Sequence, residues 1–322
     1  MIKDRILIVD GYNLFVRHYV AHPAMSDNGD QIGGIVGFFN NIIRLIERCK
    51  PEEVIVVWEG GGSKRKRDLY SDYKMSKRPQ KLNRYYDQDI PDSYKNRNYQ
   101  LVTLINLLSC FPVNQIYIEE SEADDVIGYL VKYKLKQKNI IIVSSDHDYY
   151  QLISKNTIIW SPTLKAFVNN KKVLQRFKIH PKNFCLAKSI SGDNSDNIPG
   201  VKGVSYKTLS KYFPKFSNPD DYLFDCFVND VEQLKTNKKL KILNTLSCTK
   251  NQDMIKRNLK LVLLDVNNLS HYQVNKINEK IENYKKITDN MKAHKLLKDN
   301  AISSLDLLRC NFIFKTIKRQ NK

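Results

Sequence analysis

Four short runs of aliphatic residues in the first half of this chain each lead into carboxylates, and this repetition constrains the fold more than any other feature. Arg5-Ile6-Leu7-Ile8-Val9 runs straight into Asp10, and Val54-Ile55-Val56-Val57-Trp58 into Glu59. Ile116-Tyr117-Ile118 is followed by Glu119, Glu120, Glu122, Asp124 and Asp125, and Asn139-Ile140-Ile141-Ile142-Val143 by Asp146 and Asp148. These runs are apolar at every position rather than at every second one. Strands of that kind are buried on both faces, as in a parallel sheet covered by helices. The intervening stretches fit, with apolar residues at helical spacing over 34–49 before Pro51 and again over Val126 to Leu135. The expected fold class is therefore α/β, a central, mostly parallel sheet flanked by helices. From about Asn183 strands become scarce, and Lys/Asn-rich links fall near 217–221 and 235–241. The expected organisation is an α/β unit over residues 1–182 and a helical region over residues 183–322.

The C-terminal ends of parallel strands lie along one edge, where ligands bind. Asp10, Glu59, Glu122, Asp124, Asp125, Asp146 and Asp148 should converge there. Left alone they would repel one another and could not all stay ionised. Divalent cations resolve the conflict, and ligation by oxygen alone suits Mg²⁺ or Mn²⁺. Each group also has a plainer reading. Ser121 and Asp124 have the spacing of a capping box, Asp10 and Glu59 could be turn residues, and His147 reads as an incidental loop residue. The coincidence of carboxylates at four strand ends favours the metal site. A further acidic stretch, Gly192-Asp193-Asn194-Ser195-Asp196-Asn197-Ile198-Pro199-Gly200-Val201-Lys202-Gly203, precedes an amphipathic helix over Ser205 to Tyr212. Asp193 and Asp196 are spaced to share one face, and the backbone N–H groups of the Gly200–Gly203 turn suit a phosphate.

Charge narrows the partner. The 322 residues include 53 Lys or Arg against 34 Asp or Glu, a net charge of +19. Such a surplus indicates a polyanion, usually nucleic acid; a lysine-rich surface kept for solubility is the plainer alternative. The surplus is concentrated in the segment 60–98, where eight basic and two acidic residues fall between 64 and 81, after Gly60-Gly61-Gly62. A connection this long is functional or mobile. No apolar run approaches the roughly 18 residues of a membrane helix, and the first run is too short for a signal peptide, so a soluble, cytoplasmic protein without membrane contact is expected. The six cysteines form no CxxC pair, which excludes a zinc cluster and a disulfide framework of the usual kinds.

Together, Asp10-Gly11-Tyr12-Asn13, Glu122-Ala123-Asp124-Asp125, Ser145-Asp146-His147-Asp148 and Gly192-Asp193 to Gly203 resemble the flap endonuclease family. The resemblance is strongest to bacterial and phage 5′-nucleases of the free-standing kind, related to the 5′-nuclease domain of bacterial DNA polymerase I. It covers residues 5 to 215 and implies a PIN-like 5′-nuclease fold. It also implies that Asp10, Glu122, Asp124 and Asp125 hold one ion and Asp146, Asp148, Asp193 and Asp196 a second, with Asp125 shared. Glu59 stands where the family usually has Asp. In the basic segment, Lys74 and Arg78 take the catalytic cation roles and Tyr73, Arg67 and Lys77 contact DNA, with Lys77 an alternative to Arg78 and Arg65 to Arg67. Residues 60–98 would form a helical arch, and 183–213 a helix-three-turn-helix that grips duplex DNA through Gly200, Lys202, Gly203, Ser205 and Lys207, often with a bound K⁺.

The implied activity is structure-specific 5′-3′ exonuclease or flap endonuclease hydrolysis of DNA, and of RNA primers, in replication or repair. Two Mg²⁺ ions, with Mn²⁺ as substitute, would serve an in-line displacement that leaves a 5′-phosphate and a 3′-hydroxyl. The expected partner is DNA with a 5′ flap, nick or frayed end, or an RNA–DNA hybrid, bound by a monomer. Two other readings are a family member that binds junctions but has lost catalysis, and a PIN-type ribonuclease. The latter has no use for the glycine-rich acidic stretch or the basic segment.

Overall fold

A computed structural model describes residues 5–75, 94–237 and 240–317 of the chain. Six strands form one sheet: β1 (Arg5–Asp10), β2 (Glu53–Trp58), β3 (Asn114–Tyr117), β4 (Asn139–Val143), β5 (Thr157–Ser161) and β6 (Ala166–Val168). Their order is β3-β2-β1-β4-β5-β6, and only the β5–β6 pairing is antiparallel. β5 and β6 have no counterpart in the sequence reading. β5 is a short run followed at once by Pro162, and β6 is a three-residue return strand at the sheet edge.

Both sheet faces are dry, as the unbroken apolar runs require. Ile6, Ile8, Ile55, Val57, Ile140 and Ile142 point into one core, whereas Leu7, Val9, Val54, Val56, Ile141 and Val143 point into the other. The second core is closed by α1 (Gly11–Ala21), α2 (Gly33–Cys49) and, beyond the short α3 (Lys64–Leu69), by α4 (Tyr94–Leu108). The first core is closed by α5 (Ala123–Tyr129), α6 (Asn170–Phe177), α7 (Phe184–Ser191) and α8 (Tyr206–Tyr212). α5 is extended by a π turn over Leu130–Lys134. Of the remaining helices, α9 (Phe224–Asn237), α10 (Lys241–Ser247), α11 (Thr249–Val262) and α12 (His271–Glu282) join the first core. α13 (Asn290–Asp299) and α14 (Leu307–Phe314) cross to the second. Each core thus draws on residues from both sides of position 182. Among the described residues, no helix is long and apolar enough to cross a membrane.

The winding reverses beside β1, with β2 and β3 added on one side and β4 and β5 on the other. Crevices at such reversals, past the strand C-termini, are where open α/β sheets bind ligands. Two close backbone approaches set this edge. β1 passes into α1 with no loop, and a Cβ at Gly11 would lie 2.6 Å from the Trp58 ring. At the end of β2, the Gly60 N–H donates to the Ser121 carbonyl (3.1 Å) and its own carbonyl accepts from the Glu120 N–H (2.8 Å). A Cβ at Gly60 would be 1.7 Å from the Ile118 oxygen, so only glycine permits this clasp.

Candidate active site

Three carboxylates meet at the reversal. Asp124 in the first turn of α5 and Asp146 and Asp148 after β4 each bring an oxygen within 4.8 Å of the other two. Backbone geometry fixes the second pair: the Asp146 N–H donates to Ser144 Oγ (3.1 Å) and the Asp148 N–H to Asp146 Oδ1 (2.8 Å). Asp10 caps α1 by accepting from the Asn13 N–H (3.2 Å), and its other oxygen accepts from Ser144 Oγ (3.1 Å). The fully buried Tyr149 hydroxyl lies 2.8 Å from Asp124 Oδ1 and 3.1 Å from Asp10 Oδ2, joining the two. Nothing but its neighbouring acids marks Tyr149 in the sequence.

Negative charge crowds this edge beyond what the nearby lysines offset. Burial, then Asp124, pushes Asp10 up to about 7. Burial and Asp124 likewise raise Glu59 to about 7. Asp146 is driven well above the usual carboxylate range by burial, Asp148 and Asp124. Burial raises Asp196 to about 6 against the pull of Lys74. Such a set, with oxygen donors only, fits a hard divalent cation, whose charge would reverse these shifts.

The surrounding acids are held by two buried lysines that the sequence reading missed. Lys66 on α3 is 3% exposed, with its ammonium 2.8 Å from Glu122 Oε2 and 2.9 Å from Asp125 Oδ2. Lys188 on α7 is 4% exposed and pairs with Asp148 and, at 2.6 Å, with Asp193 Oδ2. Burial alone would raise Glu122, but Lys66 and Lys74 hold it at about 2. Lys188 does the same for Asp193, also at about 2. A lone lysine within the apolar stretch Phe184 to Ile190 was a signal for Lys188, whereas Lys66 is indistinguishable from its basic neighbours in sequence. Asp125, expected to be shared between two ions, turns away from the trio onto Lys66 and the Asn268 amide (2.7 Å).

Glu59 has a distinct role in this structure. The helix start at α5 is not a capping box, since Ser121 Oγ donates to the Ile118 carbonyl (2.8 Å) and Glu122 makes no side-chain cap. Glu59 accepts the free Ala123 N–H instead (3.2 Å), a reach that its extra methylene assists.

The basic segment packs against the same edge. Lys74 Nζ is 3.1 Å from Glu122 Oε1 and 3.9 Å from Asp124 Oδ2, and its side chain remains 36% exposed. Its backbone has φ 54°, held by its N–H donating to the Asp196 carbonyl (3.0 Å) and by the Asn197 amide donating to the Asp72 carbonyl (2.8 Å). A non-glycine residue in the left-handed region marks a constrained position. Tyr73, expected to contact DNA, is buried with Cys185, Ile198 and Leu261, and its hydroxyl donates to Glu122 Oε2 (3.0 Å). Arg67 is exposed and reaches the Gly61 carbonyl, whereas Arg65 is tied to Asn267 and Asn268. Lys77 and Arg78 lie outside the described residues. Lys202, Gly203, Ser205 and Lys207 are exposed, Gly200 is half-buried, and Ser205 caps α8. His147 packs on Tyr150 and Phe177, away from any ligand role.

Comparison with known proteins agrees with this geometry. Residues 5–178 match the family model described as 5′-3′ exonuclease, N-terminal resolvase-like domain. The 5′-3′ exonuclease of Buchnera aphidicola subsp. Schizaphis graminum is 30% identical over 220 residues, covering 67% of this chain and 72% of that protein. DNA polymerase I of Caldicellulosiruptor bescii is 29% identical over 225 residues, 67% of this chain but only 25% of the polymerase. The chain thus spans most of the free-standing relative and a quarter of the polymerase. In fold it is similar to the bacteriophage T5 D15 flap endonuclease, solved as a pseudo-enzyme-product complex with DNA and metal ions. That likeness has a TM-score of 0.60 at 21% identity and covers 97% of this chain and 99% of that one.

Proposed function

This chain belongs to the 5′-3′ exonuclease family, and from that premise we propose that it is a structure-specific 5′-nuclease. It would cut DNA at 5′ flaps, nicks or frayed ends, and RNA in primer hybrids, during replication or repair in the cytoplasm. The observation that carries the reading is the convergence of Asp124, Asp146 and Asp148, each with an oxygen within 4.8 Å of the other two, beside the partly exposed Lys74. Asp10, Glu59, Asp124, Asp146, Asp148 and Asp196 are the side chains that would hold Mg²⁺ or Mn²⁺, directly or through water. Bound ions of that kind supply Lewis-acid stabilisation of the phosphodiester and a water nucleophile at neutral pH.

The chain's own groups do the rest. Lys74 faces the carboxylates with its ammonium partly in solvent, where it would meet the scissile phosphate as negative charge builds. Lys66 and Lys188 keep Glu122 and Asp193 ionised and in place. Tyr149 orients Asp10 and Asp124. Residues 1–182 would carry hydrolysis, with Arg78, Lys77 and Arg67 in an arch over 60–98. Residues 183–322 would hold duplex DNA, with Gly200, Lys202, Gly203, Ser205 and Lys207 placing phosphates, with or without K⁺. Such contacts make binding independent of sequence and steeply salt-dependent.

The test is a nuclease assay on a 5′-flap duplex across a Mg²⁺ titration. Asp146→Asn should lower cleavage by more than about 10²-fold, beyond the cost of losing an outer-shell partner, while flap binding stays measurable. Normal Mg²⁺-dependent turnover in Asp146→Asn would refute the assignment, and binding without any cleavage by the wild type would identify a junction binder.

A further inference from the structure

A second concave site lies behind the carboxylate edge, between α1, α2 and the β5–β6 hairpin. It encloses about 450 Å³ and is lined by Arg17, Arg44 and Arg48, with Lys165 at the hairpin turn and no carboxylate. None of the four forms an ion pair with an acid among the described residues. Arg44 and Arg48 stand one helical turn apart, a spacing at which like charges repel. Two of the cations are anchored rather than waving in solvent. The Arg48 guanidinium lies 4.8 Å from the Trp160 ring centre and 4.9 Å from that of Phe167, and Arg17 donates to Thr163 Oγ1 (2.9 Å).

Behind the lining lie buried polar atoms without partners. Trp160 is 9% exposed, yet its indole Nε1–H is buried with no partner, and so are His18 Nε2 and Asn41 Oδ1. Buried polar atoms are nearly always satisfied, and leaving one unmade is costly. Burial, followed by His22, Arg17 and Arg44, pushes His18 down to about 4, so its imidazole is neutral near pH 7.

Clustered cations, two of them anchored, and an absence of acids define a site for an anion. The cavity exceeds the size of a bare phosphate, and Trp160 lines it beneath the Arg48 guanidinium. We propose that this pocket binds the phosphate group of a nucleotide, with the nucleoside filling the remaining space beside the Arg48–Trp160 stack. The source is either a free mononucleotide or the phosphorylated end of a nucleic-acid strand. The site needs no divalent ion and does not depend on the hydrolytic reading. It touches the catalytic edge through Arg17 and Thr163, whose hydroxyl donates to Ser145 Oγ at 2.9 Å.

The experiment uses the full chain in EDTA, titrated with dAMP, inorganic phosphate and a 5′-phosphorylated trinucleotide, read by calorimetry and tryptophan emission. Saturable, metal-independent binding of a nucleotide ligand that inorganic phosphate displaces is expected. Arg44→Gln combined with Lys165→Gln, both at exposed positions, should weaken it at least tenfold with an unchanged circular dichroism spectrum, and Asp124→Asn should leave it unaltered. dAMP binding as tightly as the trinucleotide identifies the free nucleotide as the source; trinucleotide binding alone identifies a strand end. No saturable binding of either, or binding lost in Asp124→Asn and retained in the double variant, overturns the proposal.

Discussion

Two sets of carboxylates share one sheet edge and are treated in opposite ways. Glu122 and Asp193 each face a buried lysine and are held at about 2. Asp10 and Glu59 face other acids and are pushed up to about 7. The difference is not burial, since members of both sets are largely out of water. For these four it is the balance between lysine and carboxylate neighbours; Asp125 and Asp148 pair with Lys66 and Lys188 and are still raised, because burial outweighs the pairing there. Lysine ammonium groups hold Glu122 and Asp193 ionised, whereas Asp10 and Glu59 would be held ionised by a bound divalent cation.

The sharpest way to break this contrast is Lys66→Met. Glu122 and Asp125 would remain buried without a partner, a loss of about 3–5 kcal/mol when one member of a buried pair is removed. Urea midpoints in EDTA measure it, and Mg²⁺ should rescue the variant more than it stabilises the wild type. Equal stability in EDTA would remove Lys66 from the account. Lys74, by contrast, is partly exposed, so Lys74→Ala should lower kcat about 10²–10³-fold, the scale of losing one transition-state donor, with little change in stability or flap binding. A smaller effect comes from pH. Asp10 and Glu59 hold protons below about 7 and must release them to an ion. Mg²⁺ affinity should therefore be fully developed above that pH and fall by about tenfold per displaced proton for each unit below it. Calorimetry in buffers of different ionisation heat would detect the released protons. Glu122 and Asp193 stay ionised throughout this window and contribute none.

Much of this was legible in sequence because it rests on periodicity. Unbroken apolar runs announce strands buried on both faces, and a carboxylate at the end of each run is placed by topology alone. What escaped was set by contacts between distant segments. A lysine in a basic run reads as solvent-facing, and only packing of α3 against α11 and the acids puts Lys66 inside. Tyr73, expected to contact DNA, is instead packed with Cys185, Ile198 and Leu261 from distant segments, its hydroxyl on Glu122. The role of Glu59 depended on Ala123, sixty-four residues away. β6 was too short to show any period.

The clasp at Gly60 has a mechanical consequence. Its paired hydrogen bonds join the root of the basic segment to the residues just before α5, and Lys66 and Lys74 fasten the same segment to Glu122 a few residues further on. Residues 60–74 are thereby fastened to the start of α5 at three points, so a displacement of either is passed directly to the other.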